Sequence, residues 1–180
     1  MSLRRQFWSR QLFLLIILCA PSAHGATSPS ANDPLSALQA YLRATYARDF
    51  ITAYGFISSA DQKVRDLNRY LQQRGPFNGF TLELTRRLSQ AVTVTPLRQQ
   101  QNGEHTSFTV RYQVPDPQKL AALLLNWDQR RLNSLSSAER QQLFDLIDQK
   151  LRDGGLALTH GDEQFELIKE NSQWRVALNW

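Results

Sequence analysis

The hydrophobic residues of this chain change their spacing near residue 92, and this change constrains the fold more than any other feature of the sequence. Before it, apolar side chains recur three or four positions apart, as at Leu35, Leu38 and Leu42, which is the period of one helical face. After it, apolar and polar residues alternate, as from Phe108 to Val114, which is typical of a strand with one buried face. The chain is therefore predicted to be α+β, with N-terminal helices packed on an antiparallel sheet.

The first 25 residues have the composition of a secretory signal peptide. Three arginines precede an apolar run at residues 12–20, and the small residues Ala23 and Gly25 lie at the positions that signal peptidases prefer. The apolar run is about half of the ~20 residues that a membrane-spanning helix needs. We therefore expect cleavage between Gly25 and Ala26, a periplasmic or secreted protein, and no stable membrane insertion after cleavage.

Removal of this leader changes what the composition implies. The net charge of +5 falls to +2, because the leader contains three arginines and no acidic residue. The remaining charges alternate in sign, so a nucleic-acid partner is not expected. Cys19 is the sole cysteine and lies within the leader. The mature chain can therefore form no disulfide and offers no thiolate to a metal ion.

About 155 residues follow the leader, enough for one domain with a sizeable core. Residues 26–32 are small and polar and contain a proline, so they are predicted to form a flexible lead-in. Residues 33–180 contain no internal repeat and are predicted to form a single domain.

Capping residues predict where the early helices begin. Asp33 is predicted to cap a first helix that ends near Arg48, and Asp49 to start a second. Ser58 is predicted to cap a third helix in a capping box with Asp61. The buried face and the end of this third helix are predicted from Val64, Leu67, Leu71 and the pair Gly75-Pro76. The apolar spacing of residues 80–88 allows either a helix or a strand, and a helix is preferred because the charged residues among them suit an exposed helical face.

Two hairpins and an intervening helical segment make up the rest of the chain. The first hairpin runs from Val92 to Val114 around a turn at residues 101–103, and the second has its turn at residues 170–173. Residues 117–155 are predicted to be helical, with a capping box at Ser136. The final strand is predicted to bury a stripe made of Trp174, Val176, Leu178 and Trp180. His160, Asp162 and Glu163 are interpreted as a polar loop, since a cation site needs more ligands.

Two segments resemble the nuclear transport factor 2-like (NTF2-like) superfamily: LQAYLRATYARDFITAYGFISSAD at residues 38–61 and FELIKENSQWRVALNW at residues 165–180. The resemblance covers residues 33–180 and implies a curved antiparallel sheet around helices, forming a cone with an apolar pocket. Residues 117–155 depart from the compact form of the family and are interpreted as an insertion. Members include isomerase-like and dehydratase-like enzymes and non-catalytic binding or assembly modules, and dimerisation through the sheet is common among them.

Aromatic residues with polar tips are predicted to surround a semi-polar pocket. Tyrosines on the early helices would face aromatic residues on the strands, a tryptophan of the insertion would close the mouth, and an aspartate would place a charge at one end. The predicted pocket residues are Tyr41, Tyr46, Asp49, Tyr54, Tyr112, Trp127 and Trp174. The competing interpretation, that these are ordinary core and surface aromatics, stays open from the sequence.

The sequence contains no GxSxG, HExxH, P-loop or GxGxxG motif. We therefore assign no catalytic residue, metal or cofactor, and we favour an exported binding or assembly module. Two alternatives stay open: a cofactor-free isomerase or lyase that uses a pocket Asp and Tyr, and a structural subunit of an envelope complex that docks through residues 117–155. The expected partners are a small apolar molecule or an envelope protein, together with a homodimer through the sheet.

Overall fold

The computed structural model describes residues 33–74 and 78–180. The predicted signal peptide, the lead-in at residues 26–32 and the pair Gly75-Pro76 lie outside the described residues. The described part is α+β, with helices packed on a four-stranded antiparallel sheet. Every described helix is too short or too polar to cross a bilayer.

Capping side chains start the early helices at the predicted places. The carboxylate of Asp33 accepts the Ser36 N–H at 2.9 Å, and that of Asp49 accepts the Thr52 N–H at 3.3 Å. Each bond satisfies one of the N–H groups that a helix N-terminus leaves unpaired. The described helices before the sheet are Pro34–Tyr46 (α1), Phe50–Tyr54 (α2), Ser59–Val64 (α3), Leu67–Arg74 (α4) and Gly79–Leu88 (α5).

The prediction of a single third helix is wrong, because this segment forms two helices, α3 and α4. Arg65 has an extended backbone, with φ −137° and ψ 102°, which ends α3. Val64, predicted to be buried, is 55% exposed, whereas Tyr70 of α4 is fully buried. The break turns α4 so that Tyr70 can pack against Phe50 and Tyr54.

The sheet consists of Thr93–Asn102 (β1), His105–Pro115 (β2), Leu158–Glu170 (β3) and Gln173–Ala177 (β4), in the order β1-β2-β3-β4. Both predicted hairpins are present. The prediction of a polar loop at residues 160–163 is wrong, because these residues belong to β3 and pair with β2. Segment 56–58 covers the outer edge of β4, where the Val176 N–H donates to the Phe56 carbonyl at 2.7 Å.

The segment between the hairpins is helical in several short pieces. It contains Pro117–Leu120 (α6), a 3₁₀ turn at Leu125–Trp127, Gln129–Ser134 (α7) and Ser137–Arg152 (α8). The capping box predicted at Ser136 is confirmed, with Glu139 as its reciprocal partner. The helical prediction for residues 117–155 fails locally at residues 125, 126 and 127, which all have positive φ.

The described residues form two hydrophobic cores, which adjoin at Tyr46. The main core joins α1, α2 and Tyr70 to the inward face of the sheet, and the second core joins α5 to the helices of the segment 117–155. Tyr46, at the end of α1, packs against the second core. The boundary between the two cores therefore lies at the C-terminal end of α1.

Candidate ligand-binding site

Two cavities adjoin at the C-terminal end of α1 and share Thr45 and Tyr46 as a common wall. We call the larger one, of about 440 Å³, the insertion-side cavity. It is lined by Thr45, Tyr46, Arg48, Thr85, Pro117 and Trp127. We call the smaller one, of about 210 Å³, the sheet-side cavity. It is lined by Leu42, Thr45, Tyr46, Val92, Tyr112, Val114 and Glu163.

Helical spacing places the α1 residues of this wall. Leu42, Thr45 and Tyr46 are three and four positions apart, so they share one helical face. The Tyr46 hydroxyl donates to the Pro115 carbonyl at 2.8 Å, which fixes the ring between the two cavities. Burial raises the pKa of Tyr46 well above its ordinary value. Tyr46 is therefore a neutral hydrogen-bonding group at physiological pH.

The Thr45 hydroxyl lies in this wall without a hydrogen bond of good geometry, and its oxygen is buried. Burial raises the pKa of the neighbouring Tyr41 phenol, and Thr45 acts in the opposite direction. Thr45 therefore places a buried hydroxyl beside Tyr41 in this wall.

Tyr112 enters the sheet-side cavity because the residue opposite it is a glycine. Tyr112 and Gly161 are cross-strand partners, and opposed residues of an antiparallel pair point to the same face. A Cβ on residue 161 would lie 2.6 Å from the Tyr112 hydroxyl oxygen and 2.8 Å from Cζ. The absence of a side chain at position 161 lets the Tyr112 ring lie across β3.

Trp127 reaches the insertion-side cavity from the 3₁₀ turn. Its backbone is left-handed, with φ 60°, and its indole N–H donates to the Pro117 carbonyl at 3.0 Å. On the opposite wall, the Thr85 hydroxyl donates to the Ala47 carbonyl at 2.7 Å and ties α5 to the end of α1. The polar groups of these two walls are thus held by backbone oxygens.

Among the described residues, each cavity is lined by one charged side chain. Arg48, with φ 59°, follows α1 and lines the insertion-side cavity; its guanidinium carbon lies 5.8 Å from the Phe50 ring centroid. Glu163 lines the sheet-side cavity, where it pairs with Val110 across the strands.

Sequence reasoning missed Glu163 by interpreting residues 160–163 as a loop. The alternation set by Phe165 and Leu167, continued two residues back, places Glu163 on the inward face.

Three of the seven predicted pocket residues, Tyr46, Tyr112 and Trp127, line the two cavities. Tyr41 and Trp174 lie instead in the main core, each 5% exposed, and burial raises the pKa of Tyr41. Both are aromatic side chains with a polar tip, like the other aromatic residues predicted for the pocket. Only their packing shows that they belong to the core.

The two remaining predicted residues also lie away from these cavities. Tyr54 packs on Tyr70, with ring centroids 5.3 Å apart, and its hydroxyl donates to the Arg65 carbonyl at 3.0 Å. Asp49 caps α2 and forms an ion pair with Arg86 at 2.9 Å. Its carboxylate therefore supports the helix start rather than a pocket.

Asp61, the other carboxylate near the aromatic helices, is saturated by protein donors. Ser58 Oγ donates to it at 2.5 Å, and the backbone N–H groups of Leu178 and Trp180 donate at 2.8 Å and 3.0 Å. Burial acts to raise the pKa of Asp61, but these hydrogen bonds outweigh it and hold the pKa below its ordinary value. An acid held ionised in this way is a poor proton acceptor.

Within residues 33–74 and 78–180, no three His, Cys, Asp or Glu side chains converge to hold a metal ion. Asp162, next to Glu163, points to the other face of the sheet and forms a bidentate pair with Arg111, with N–O distances of 2.7 and 2.8 Å. Comparison of the chain with protein-family models, with curated proteins and with solved structures found no match. The resemblance to the NTF2-like superfamily therefore stays a prediction.

Proposed function

We propose that this chain is an exported, non-catalytic binding module of NTF2-like type, whose semi-polar aromatic pocket holds a small ligand. The observation that carries the proposal is the pair of adjoining cavities that share Thr45 and Tyr46. The larger cavity alone is in the range of ~300–1,000 Å³ that is typical of small-molecule sites. The walls combine apolar side chains with a few fixed polar groups, as such sites do.

The arrangement of carboxylates favours binding over catalysis by a pocket aspartate. Asp49 is occupied by Arg86 and by the start of α2. Asp61 is surrounded by hydrogen-bond donors that keep its pKa low, whereas a general base that works near neutrality needs a pKa closer to 7. Neither aspartate supplies the proton acceptor that the isomerase or lyase alternative requires.

Native mass spectrometry of the exported protein tests the proposal. We expect an additional mass that collisional activation removes without breaking the chain. Trp127→Ala opens one wall of the insertion-side cavity and should lower the retained fraction severalfold. Leu146→Ala is the matched control, because Leu146 lies in the same inserted segment but is 37% exposed and does not line this cavity. A protein that retains no ligand, and whose melting temperature no small apolar compound raises, would contradict the proposal.

A further inference from the structure

Resting on the proposed function, we infer that the sheet-side cavity binds a small organic cation with a methylated ammonium group. This cavity, of about 210 Å³, brings together apolar walls, two tyrosine rings and one carboxylate. Each of these three features selects a different property of the ligand. Together they describe a cation that is weakly hydrated and compact.

The first feature is the negative charge. Glu163 is the charged side chain among the described residues that line the sheet-side cavity. Its strand register places it on the inward face, opposite Val110, whose side chain is fully buried. Within the described residues, Glu163 takes part in no ion pair and no hydrogen bond of its side chain. A carboxylate at the rim of an apolar cavity attracts a cation and repels an anion.

Two arginines near this cavity are directed elsewhere. Arg111, one position before Tyr112, projects to the outer face and is paired with Asp162. Arg43 is exposed on α1, and its Nε donates to the Val92 carbonyl at 3.4 Å. Neither guanidinium is within the ion-pair distance of Glu163. The charge of Glu163 is therefore available to a ligand.

The second feature is the pair of aromatic rings. Tyr46 and Tyr112 line the sheet-side cavity together with Glu163. The face of a tyrosine ring attracts a cation that lies within about 6 Å of its centre. Cages of such rings beside a carboxylate suit quaternary ammonium groups, because these ions are only weakly hydrated and lose little on leaving water.

The third feature is the apolar wall of Leu42, Val92 and Val114. A metal ion needs several oxygen ligands, and a primary ammonium needs three hydrogen-bond acceptors. These three apolar side chains offer no oxygen ligand to a metal ion and no hydrogen-bond acceptor to an ammonium. Methyl groups on the nitrogen would contact these side chains favourably and leave no donor unpaired. The chemistry of the cavity therefore favours a methylated over a bare ammonium.

The test compares choline with its uncharged isostere, 3,3-dimethylbutan-1-ol, in NMR titrations of the mature protein. The two probes have the same shape and hydroxyl, so they differ in charge alone. We expect choline to bind about tenfold more tightly than the isostere. Shifts in backbone amide signals should include residues that flank Tyr46 and Tyr112.

Glu163→Gln separates the carboxylate from the shape of the cavity. We expect it to weaken choline binding about fivefold and to leave binding of the isostere unchanged. Glu166→Gln is the matched control. It lies on the same strand, makes the same change in net charge and does not line the sheet-side cavity. It should change choline binding by less than about twofold, since salt screens a distant charge.

The outcomes distinguish this inference from the proposed function. Equal binding of both probes, or a Glu163→Gln variant that binds choline like the original protein, overturns the cation inference and leaves an apolar ligand site. Absence of choline binding overturns it as well. If the exported protein then still retains another small molecule, the proposed function stands. If Glu163→Gln fails to fold, the comparison of the two probes on the unaltered protein still decides.

Discussion

The carboxylate of Asp61, at the start of α3, accepts the backbone N–H of Trp180 at 3.0 Å, across 119 positions of the chain. Its second oxygen accepts the Leu178 N–H at 2.8 Å. Leu178 and Trp180 lie beyond the end of β4, so their N–H groups have no strand partner there. One side chain thus holds the segment that follows the last strand against the helices.

We predict that Asp61→Asn lowers the free energy of unfolding by about 1–3 kcal/mol. The amide keeps the size of the side chain, but it loses the charge that strengthens three hydrogen bonds and places an NH₂ group against their donors. Urea denaturation at neutral pH measures the change. Glu83→Gln, an exposed substitution with the same loss of charge, should have an effect below about 0.5 kcal/mol. Equal stabilities of the two variants would contradict the role of Asp61.

We also expect the contribution of the Asp61 carboxylate to the free energy of unfolding to depend on pH. The pKa of Asp61 in the folded protein is lowered from its ordinary value of 3.8, so the unfolded state takes up its proton first as the pH falls. The contribution of Asp61 is therefore complete well above pH 4 and is lost as the pH falls through 3.8 towards the lower folded-state pKa. We expect the stability difference between the original protein and Asp61→Asn to shrink from pH 7 to pH 3. A difference that is constant over this range would contradict the lowered pKa.

Trp174 is predicted to be among the most sensitive core positions. It is 5% exposed and belongs to the main core, where cutting a large aromatic to alanine costs about 3–5 kcal/mol. Trp174→Ala should lower the midpoint of urea denaturation strongly. Arg175→Ala, at the next position of β4, should lower it far less, because its side chain points to the other face. A small effect of Trp174→Ala would show that the end of the sheet is not part of the core.

Gly161 and Tyr112 should be coupled. In Gly161→Ala, the new Cβ would lie 2.6 Å from the Tyr112 hydroxyl oxygen, so the ring must move out of its place in the sheet-side cavity. We expect a loss of about 1 kcal/mol. With Tyr112→Ala present, the same substitution should instead stabilise the protein by roughly 0.5–1 kcal/mol, because alanine loses less backbone entropy than glycine. A double-mutant cycle measures this reversal of sign; simple additivity would argue against the contact.

The signal peptide predicted at residues 1–25 determines where the mature protein should begin. N-terminal sequencing of protein recovered from the cell envelope fraction should begin at Ala26, because the small residues at positions 23 and 25 fit signal-peptide cleavage. Ala23→Leu, which places a large side chain at the cleavage site, should slow processing and let the precursor accumulate. Recovery of intact Met1 in the membrane fraction of the original protein would show that the leader remains as an anchor.

The sequence by itself determined the features that depend on neighbouring residues. The caps at Asp33, Asp49 and Ser136, the helix over residues 80–88 and both hairpins follow from side-chain periods and from contacts three or four positions apart. Such contacts form within one element, so their residue types carry the information needed to predict them. The α+β class follows from the same local patterns.

The tertiary structure alone decided which residues meet across the chain. The predicted cap is confirmed, since the Ser58 hydroxyl accepts the Asp61 N–H. The reciprocal bond of a capping box does not form, because the Ser58 N–H donates to the Val176 carbonyl and the Asp61 carboxylate accepts the Trp180 N–H. Glu163 enters the sheet-side cavity because the register of β3 on β2 sets its face, and a shift of one residue would reverse it. Tyr41 and Tyr46 lie on one helix, yet one is core and the other lines cavities, since burial depends on what packs opposite. These outcomes depend on long-range packing, which no local pattern encodes.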